Sequence, residues 1–530
     1  MTTPPSSPIR PFGRVHVGAP TGEEAAAFDR RAIRDLGVPQ PTLMENAGRS
    51  AAQILDRLHP DGEVLALVGA GNNGGDALVL LRTLAAWGRP VTALVVADRE
   101  EPEPVLHGWD LRTIRDEGLL DHPDAYDDAL SRGRVLVDGI LGTGIRGAPR
   151  QRQAAAIRAV NRSPAPVLAL DIPSGVNAGT GAVPGEAVEA EVTVAFGWPK
   201  LGSLLHPGRS RVGRLVAVEI GFPPGADEGF GAALVTPAWA ASHRPRRAPE
   251  THKYEVGALT LLAGREGMAG AAIMAARAAM RAGVGLLRVA SVPGNRVVLQ
   301  TDLPEAIFVD ATDPAALAEA VEGSAALAAG PGLGTDEDAG RRLGDALEAT
   351  EDRAVLLDAD ALTLVGSGKA PPLESLGGSG PVLLTPHPGE MARITGVEAE
   401  EVKADRVGAA RKTASRTGCA VLLKGLPSVV ASPEGPLRVD TVGSSDLATA
   451  GMGDVLTGVA ASFLAQGSEP GVAGALGLHV SGRAAARARR GAGLVPGDVI
   501  EHLPDALEEE GPGETGLDLP FVVFDQDSAR

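Results

Sequence analysis

Short apolar runs, each followed by a polar loop rich in glycine, recur along this chain of 530 residues. In the first half they lie at 64–68, 135–137 and 167–170, with helix-like segments between them. An apolar run of this length, bounded by turns, is typical of a strand that is buried on both faces. Alternation of such strands with helices predicts an α/β fold in which ligands bind at the carboxyl edge of a parallel sheet.

Composition argues against several classes of protein. Apolar residues make up 44% of the chain and the mean hydropathy is +0.05, as in globular domains. The net charge of −18 argues against nucleic acid or an anionic membrane as the main partner. No apolar run reaches the roughly 20 residues that span a bilayer, and residues 1–14 lack the apolar segment of a signal peptide. With one cysteine, Cys419, the sequence predicts a cytoplasmic protein without an internal disulfide.

The segment 241–250 is a predicted domain boundary, because it is polar, basic and interrupted twice by proline. We therefore predict a first domain at 1–243 and a second at 244–515, each long enough to bury its own core. The chain closes with an acidic stretch that contains glycine and proline, and we predict a tail outside the core at 516–530.

The loop at 69–76, with the sequence GAGNNGGD, formally matches the dinucleotide-binding pattern G-x-G-x-x-G between a strand and a helix. Asp98 follows the next apolar run, which also fits that pattern. The match alone is weak evidence for a dehydrogenase, and the Asn-Asn-Gly-Gly-Asp core is more polar than such a turn requires. Amide and carboxylate groups here can hydrogen-bond a nucleotide or bind a hard cation.

Three loops of the first half place an oxygen-bearing side chain at the end of a predicted strand: Asn73, Asp138 and Ser174. Because the ends of parallel strands share one edge of the sheet, these side chains are expected to lie close together. Oxygen donors without histidine or cysteine favour a hard cation over zinc. Turn formation explains any one of the three loops, but it explains all three together less well.

Four segments of the first half resemble the NAD(P)H-hydrate epimerase domain family: Asn72-Asn73-Gly74-Gly75-Asp76, Leu141-Gly142-Thr143-Gly144, Asp171-Ile172-Pro173-Ser174-Gly175 and Phe196-Gly197-Trp198-Pro199-Lys200. The resemblance implies a Rossmann-like three-layer fold and a potassium ion (K⁺) held by Asn73, Asp138 and Ser174. It also implies that Asp171 is the acid/base that interconverts the R and S hydrates. The implied substrate contacts are Asn72, Asn73, Gly74, Gly75, Asp76, Gly142, Thr143, Gly144, Ile145, Arg146, Gly147, Ala148 and Asp171.

In the second half, the sequence ATAGMGD at 448–454 opens an apolar helix. Gly451 and Gly453 allow backbone N–H groups to converge, and the helix dipole adds positive potential, so this turn is suited to bind an anion. A phosphate bound there would repel Asp454 unless that carboxylate accepts a proton from an attacking hydroxyl group. The alternative is an ordinary aspartate at the start of a helix.

Further polar loops follow other predicted strands of the second half: Gly330–Gly334, Asp358–Ala361, Thr385–Glu390 and Lys424–Ser428. His387 stands between two prolines, so a rigid turn holds it in a way that suits a ligand contact, although a solvated loop histidine is the alternative. The chain has six lysines against 43 arginines, so the choice of Lys424 at a strand end is unusual. A lysine there can reach phosphate oxygens as a point charge.

These loops resemble the ribokinase-like NAD(P)H-hydrate dehydratase family in five motifs: GPGLG, DADA, TPHPGE, KGxxS and AGMGD. With the first half, the order of motifs is that of the bifunctional NAD(P)H-hydrate repair family over nearly the whole chain. By resemblance, Ala271, Gly332, His387 and Asp454 contact the hydrate, and the adenine nucleotide is contacted by Lys424, Gly425, Leu426, Pro427, Ser428 and Gly453. Asp446 departs from the Asn- and Gly-rich turn of relatives, and it adds a negative charge near the nucleotide.

The resemblance implies dehydration of the S hydrates of NADH and NADPH (NADHX and NADPHX), with Asp454 as catalytic base and AMP and phosphate as products. ADP is the donor in bacterial relatives and ATP in eukaryotic ones, and the residues leave both open. We also expect Mg²⁺ at this site and a homo-oligomer. Two alternatives stay open: a ribokinase-like small-alcohol or vitamin-precursor kinase fused to a nucleotide-binding regulatory domain, and a first domain that only senses nucleotides or binds a partner.

Overall fold

The computed structural model describes residues 14–99, 104–115, 123–223, 229–377, 380–509, 517 and 519–527. The chain divides into two compact units, Met1–Ala233 with Pro512–Arg530, and Leu234–Gly511. The prediction that no signal peptide is present concerns residues 1–14, and of these only Arg14 lies within the described residues.

The strands of the two units, in chain order, are β1 (Val64–Val68), β2 (Val91–Val95), β3 (Arg112–Arg115), β4 (Val135–Gly139), β5 (Val167–Leu170), β6 (Val192–Phe196), β7 (Arg214–Val218), β8 (Ala232–Val235), β9 (Ala258–Leu262), β10 (Leu286–Ser291), β11 (Ile307–Asp310), β12 (Ala326–Ala329), β13 (Ala354–Leu357), β14 (Val382–Leu384), β15 (Ala420–Leu423), β16 (Val429–Ala431), β17 (Leu437–Asp440) and β18 (Val522–Gln526).

The helices, in chain order, are α1 (Gly22–Arg34), α2 (Gln40–Leu58), α3 (Asn72–Ala86), α4 (Pro123–Leu130), α5 (Gln151–Arg162), α6 (Arg209–Val212), α7 (Pro237–His243), α8 (Lys253–Val256), α9 (Ala269–Arg281), α10 (Arg296–Asp302), α11 (Pro314–Glu322), α12 (Glu337–Glu348), α13 (Ala359–Gly366), α14 (Leu373–Leu376), α15 (Pro388–Thr395), α16 (Ala399–Ala404), α17 (Arg406–Thr417), α18 (Met452–Ala465), α19 (Pro470–Ala488) and α20 (Pro496–Leu507). Every helix of the described ranges is too short or too polar to span a lipid bilayer.

Within the described part of the first unit, eight strands form one sheet in the order β18-β7-β6-β5-β4-β1-β2-β3. From β7 to β3 all neighbours are parallel. The chain runs outward from β1 to β3 and then returns to place β4 on the other side of β1. Such a reversal opens a crevice between the loops that follow the two central strands, and ligands bind there in α/β sheets.

The apolar strands of this sheet are buried on both faces, as their sequences predict. Val64, Ala66 and Val68 of β1 lie in one core cluster with residues of α2 and α3. Leu65 and Leu67 lie in a second cluster with residues of α4 and α5. Because alternate strand residues point to opposite faces, the first unit has helices on both sides of its sheet, and the predicted Rossmann-like three-layer fold is confirmed.

The C-terminal segment differs from the tail that we predicted at 516–530. Strand β18 pairs antiparallel with β7, and Val522 and Val523 are 0% and 2% exposed. Arg214 on β7 donates two hydrogen bonds, of 2.8 and 2.7 Å, to the carboxylate of Asp525. The end of the chain therefore completes the sheet of the first unit. The acidic stretch before it, at 510–516, lies outside the described residues.

The division between the units also differs from the predicted boundary at 243/244. It falls between Ala233 and Leu234, inside β8 and before α7. The basic, proline-containing segment at 241–250 therefore belongs to the second unit. A polar composition marks a surface connection, but here that connection lies within one unit.

In the described part of the second unit, ten strands follow the order β11-β10-β9-β12-β13-β14-β15-β16-β17-β8. The sheet is parallel from β11 to β15, and β16 is antiparallel to both β15 and β17. The chain reverses between β9 and β12, which opens a second crevice at the ends of these strands. The two-domain α/β organisation is as predicted.

Helix α18 is held close to α9 by small residues on both helices. Ala275, Ala278 and Ala279 of α9 are fully buried. A Cβ atom on Gly458 of α18 would overlap the carbonyl oxygen of Ala275. This close approach fixes α18 against the rest of the unit, and with it the position of the helix N-terminus at residue 452.

Candidate active sites

A cavity of about 500 Å³ lies at the carboxyl edge of the first sheet. The loops after β1, β4, β5 and β6 border it, together with α1 and α2. Eight of the residues predicted to bind the substrate line it: Asn72, Asn73, Asp76, Gly142, Thr143, Gly144, Ile145 and Asp171. The structure thus brings together the loops that the sequence singled out.

Five of the predicted substrate residues do not line this cavity: Gly74, Gly75, Arg146, Gly147 and Ala148. The two glycines allow close packing instead. A Cβ on Gly74 would overlap the carbonyl oxygen of Gly69, and one on Gly75 would lie 2.7 Å from Met44 Cε. Arg146 forms an ion pair of 2.7 Å with Glu23, and both side chains are exposed.

Asp171 lies directly after β5 with a φ of 66°, a backbone conformation that non-glycine residues rarely adopt. Its Oδ1 atom accepts hydrogen bonds from the Lys200 ammonium and from the backbone N–H of Phe196, the latter at 3.1 Å. Lys200 also donates to the carbonyl oxygen of Phe196 at 2.8 Å and is 3% exposed. These contacts hold the strained Asp171 in a single orientation at the cavity wall.

Lys200 is a cavity residue to which our sequence reasoning assigned no role. A signal was present, because Lys200 is the only lysine in the first 252 residues. Arginine takes every other basic position of that segment except for the histidines. The one lysine of this segment thus places its compact ammonium group in contact with Asp171.

Two further carboxyl groups, those of Asp76 and Asp29, face the same cavity. Burial raises the pKa of Asp76 well above its usual value of 3.8, and the charges of Asp171 and Asp29 raise it further. Burial also raises the pKa of Asp29, although the Lys200 charge opposes that shift. Three carboxyl groups therefore share one cation in a confined space.

The candidate cation ligands Asn73, Asp138 and Ser174 come together behind the cavity wall. The Asp138 carboxylate accepts bonds from the Ser174 N–H and hydroxyl, at 2.8 and 2.6 Å. The Asn73 amide donates to the carbonyl oxygens of Leu141 and Leu170, at 2.8 and 3.2 Å. These bonds fix the amide orientation and leave the buried Asn73 Oδ1 without a hydrogen-bond donor in the described structure.

An orphaned buried oxygen beside a buried carboxylate is an arrangement that a hard cation would satisfy. Burial raises the pKa of Asp138 to about 6, although three hydrogen bonds from Ser174 and Ile140 oppose the shift. A nearby positive charge would favour the ionised form of this carboxyl group. The residues present therefore fit a cation that is bound by oxygen atoms.

In the second unit, Gly451 precedes α18 with a φ of 90°. Asp454 follows in the first turn of that helix, where backbone N–H groups have no helical partner. A Cβ on Gly453 would lie 3.7 Å from Lys424 Nζ, so this glycine leaves room beside the ammonium group. Helix N-terminus, glycine and lysine meet here, as the anion-binding prediction requires.

Lys424 follows β15 and is surrounded by carboxylates. Its Nζ donates to Asp358 Oδ1 at 2.7 Å and lies 4.0 Å from Glu390 Oε2. Asp358 is 1% exposed, and its other oxygen accepts from the Thr457 hydroxyl of α18 at 2.6 Å. Burial alone would lower the pKa of Lys424, but Asp358, Glu390 and Asp454 raise it, so the ammonium group stays charged.

The charged groups around Lys424 also shift the pKa of Asp454. Burial raises the pKa of Asp454 to about 7, Asp358 and Asp360 raise it as well, and Lys424 opposes the shift. A carboxyl group with a pKa near 7 is well matched to accept a proton at neutral pH. The charge on Lys424 and the proton on Asp454 are therefore set by one network that includes Asp358.

The remaining predicted residues of this unit lie on the surrounding loops. A Cβ on Gly332, whose φ is 58°, would lie 3.1 Å from Ala271 Cβ. His387 caps α15 through Nδ1, which accepts from the Gly389 N–H at 3.0 Å, and its side chain is 52% exposed. His387 Nε2 lies 3.3 Å from Glu390 Oε1, so a ligand contact there would compete with this pair.

The loop Lys424–Ser428 is closed by its own contacts. The Ser428 hydroxyl accepts from the Gly425 N–H at 3.1 Å and donates to the Gly425 carbonyl at 2.9 Å. Arg406 donates to the carbonyl oxygen of Lys424 at 2.9 Å. Asp446 lies in a short turn before α18 and is half-buried. Leu426 and Pro427 complete this loop.

Comparison with known proteins is consistent with two sites. The family described as YjeF-related protein N-terminus matches residues 40–202, and the NAD(P)H-hydrate dehydratase family matches residues 259–506. The bifunctional NAD(P)H-hydrate repair enzyme Nnr of Moorella thermoacetica is 37% identical over 526 residues, which cover 92% of this chain and 97% of that protein. The Escherichia coli enzyme of the same name is 35% identical, over 86% of this chain and 87% of its own.

A solved structure, the ADP/ATP-dependent NAD(P)H-hydrate dehydratase from Bacillus subtilis co-crystallised with ATP/Mg²⁺, is 30% identical with a TM-score of 0.45. It covers 52% of this chain and 96% of its own. The two family matches fall on the two sheets described above, one on each. The predicted pairing of an epimerase-like domain with a dehydratase-like domain is thereby confirmed.

Proposed function

The chain belongs to the family of bifunctional NAD(P)H-hydrate repair enzymes, and we propose that it regenerates NADH and NADPH from their hydrates. The first unit interconverts the R and S hydrates. The second unit dehydrates the S hydrate with ADP as phosphoryl donor, and it releases AMP and phosphate. The observation that carries the proposal is Asp454, which lies at the N-terminus of α18 beside the buried Lys424 and has a pKa of about 7.

The chemistry follows from the substrate's structure. The hydrate carries a hydroxyl group on the carbon beside the ring nitrogen, and hydroxide is a poor leaving group. Asp454 takes the hydroxyl proton as the oxygen attacks the terminal phosphorus of ADP, and the bond to AMP breaks. Lys424 and the N–H groups at the start of α18 stabilise the transferred charge. The nitrogen lone pair then expels phosphate, and loss of a proton from the next carbon restores the reduced ring.

The adenine nucleotide is proposed to contact the loop Lys424–Ser428 and Gly453, and the hydrate to contact Ala271, Gly332, His387 and Asp454. Mg²⁺ would be held by the carboxylates of Asp360 and Glu390, which border the Lys424 cluster, together with phosphate oxygens. When bound, Mg²⁺ neutralises phosphate charge. The unfavourable charge of Asp446 argues for testing ADP and ATP side by side.

In the first unit, Asp171 is proposed as the acid/base of epimerisation. Asn73, Asp138 and Ser174 are proposed to hold K⁺, on the strength of the unpartnered Asn73 Oδ1 and the buried Asp138 carboxylate. The ion would supply positive charge and join the loops after β1, β4 and β5. We further propose that the enzyme acts in the cytoplasm as a homo-oligomer, which sedimentation equilibrium would test.

The test is incubation of the full chain with a mixture of R and S hydrates, with ADP, with ATP and without nucleotide. We expect the absorbance of reduced nicotinamide to appear only with nucleotide, and both epimers to be consumed. Product analysis distinguishes the kinase alternative, because a kinase leaves a stable phosphate ester and no reduced ring. A phosphate ester as the final product would overturn the proposal.

A further inference from the structure

The cavity of the first unit contains four charged side chains, those of Asp29, Asp76, Asp171 and Lys200. Its other lining residues, from α1, α2, α3, α5, the end of β6 and the loops after β1, β4, β6 and β7, carry no charge. One cation cannot balance three carboxylates in a confined space, so a proton on one carboxyl group is favoured. Lys200 distinguishes one of the three carboxyl groups, because its ammonium donates a hydrogen bond to Asp171.

Asp76 is the carboxyl group in the opposite situation. It lies in the first turn of α3, is 8% exposed, and has no cation within ion-pair distance among the described residues. Asp29 on α1 lies between these two cases: burial raises its pKa, but less than that of Asp76, and its side chain still reaches solvent. Asp171 therefore accepts hydrogen bonds from two donors, whereas the buried carboxyl group of Asp76 accepts none from the residues that the structure describes.

We propose that Asp76 and Asp171 act as an acid and base pair in epimerisation, and that Lys200 is the positioning residue that makes them unequal. This inference rests on the proposed epimerase function of the first unit. The two groups belong to different elements, α3 and the loop after β5, so a ring bound in the cavity can meet one group from each.

The electrostatics of Asp76 support this division of roles. Burial raises its pKa most, the charges of Asp171 and Asp29 raise it further, and only Lys200 lowers it. Two carboxyl groups whose environments differ in this way can hold opposite protonation states at one pH. In this proposal Asp76 donates the proton, and Asp171, whose Oδ1 already accepts two hydrogen bonds, accepts one.

Epimerisation by this pair requires two proton transfers. Asp76 gives its proton to the hydroxyl group on the carbon beside the ring nitrogen, that C–O bond breaks, and water leaves. The nitrogen lone pair forms a C=N double bond. A second water adds to the other face of this carbon while Asp171 accepts its proton, and the electrons of the double bond return to nitrogen. Asp76 ends as a carboxylate and Asp171 as an acid, which is the state that the reverse reaction needs.

The experiment measures interconversion of purified R hydrate into S hydrate, without nucleotide, by chromatographic separation of the epimers. Rates of the full chain and its variants are compared from pH 5 to 9, after the spontaneous rate has been subtracted. For the wild type we expect the rate to fall at alkaline pH as Asp76 loses its proton. Asp76→Asn should reduce the rate by about 10²-fold or more, and the remaining rate should no longer fall at alkaline pH.

Lys200→Met should slow epimerisation at least about tenfold. Because the Lys200 charge lowers the pKa of Asp76, this variant should also lose activity about one pH unit higher than the wild type. Lys200→Arg keeps the positive charge, so its epimerisation rate should fall at the same alkaline pH as that of the wild type. The matched control is Arg89→Met. Arg89 is also a mostly buried cation, paired with Asp56 at 3.2 Å, but it does not line the cavity. Its rate and pH profile should equal those of the wild type.

The outcomes separate the two levels of the proposal. If the wild type does not interconvert the epimers, the proposed epimerase function is wrong. If the wild type does interconvert them, two results would contradict the acid and base pair. One is a Lys200→Met rate that falls at the same alkaline pH as the wild-type rate, and the other is a wild-type rate for Asp76→Asn. Circular dichroism melting of each variant, with dehydration of S hydrate by the second unit, verifies that the chain is folded.

Discussion

Replacement of Asp454 by asparagine tests the second site most directly. Asparagine keeps the shape of the side chain but cannot accept the hydroxyl proton, so dehydration should fall by about 10²-fold or more. The affinity for adenine nucleotide should be kept or should rise, because a negative charge near the phosphates is removed. Near-normal turnover by Asp454→Asn would refute the assignment of Asp454 as the base.

The pH dependence gives this prediction a second, quantitative part. Because the pKa of Asp454 is raised to about 7, the base is mostly protonated below that pH. The value of kcat/KM for S hydrate should therefore fall about tenfold per pH unit below 7 and level off above it. The small residual rate of Asp454→Asn should lack this dependence. A wild-type profile that is flat between pH 5 and 8 would contradict the reasoning.

The stability of the folded protein gives an independent measure of the pKa of Asp454. The folded-state pKa lies above the ordinary value of 3.8, so this carboxyl group contributes most to stability below about pH 4, and the contribution is lost as pH rises through 7. A shift of about three units corresponds to at most about 4 kcal/mol, and water that reaches the half-buried side chain reduces this figure. At pH 8, Asp454→Asn should therefore unfold at a higher temperature than the wild type.

Both measurements need a matched control. Asp338→Asn serves, because Asp338 also lies in the first turn of a helix of the second unit but is 67% exposed and paired with Arg341. Its activity, pH profile and melting temperature at pH 8 should equal those of the wild type. Equal melting temperatures of the wild type and Asp454→Asn at pH 8 would show that the carboxylate is not destabilised by burial.

Three further predictions concern the first unit. Asp171→Asn should consume S hydrate at the normal rate and R hydrate only as fast as it epimerises spontaneously, so a racemic mixture should decay in two phases; a single fast phase would contradict the role of Asp171. Asn73→Leu should remove the dependence of epimerisation on K⁺, measured against Na⁺ at equal ionic strength, and ion-to-oxygen distances near 2.1 Å in a crystal structure would instead indicate Mg²⁺. Deletion of residues 517–530 should expose the edge of β7 and lower the melting temperature of the first unit, while ADP-dependent dehydration of S hydrate continues; an unchanged melting curve would show that β18 adds no stability.

The fold class and the positions of the site loops could be predicted from the sequence. A buried parallel strand has to be apolar, and a loop that binds a ligand at its end has to be polar and sterically open. Both requirements act on neighbouring residues, so they appear as local patterns such as 64–76 and 448–454. The candidate oxygen ligands Asn73, Asp138 and Ser174 were found for the same reason: Asn73 lies at the start of α3 after the loop that follows β1, Asp138 lies near the end of β4, and Ser174 lies in the loop after β5.

Other features depended on residues that lie far apart in the chain. The pairing of Lys200 with Asp171 joins two loops, that of Lys424 with Asp358 joins the ends of β15 and β13, and β18 completes a sheet whose other strands end before residue 220. Sequence patterns do not encode such distances. The predicted tail at 516–530 failed on this point, because an edge strand with a distant partner has little local signal.

The sequence by itself therefore determined which residue types stand at the strand ends, and so the kind of chemistry available at each site. Tertiary structure alone decided the protonation states, because these depend on burial and on charges brought close by folding. Asp454 and Asp76 are ordinary aspartates in the sequence. Their pKa values are raised by burial in the fold and by the nearby charges of Asp358 and Asp171, and Lys424 and Lys200 oppose these shifts.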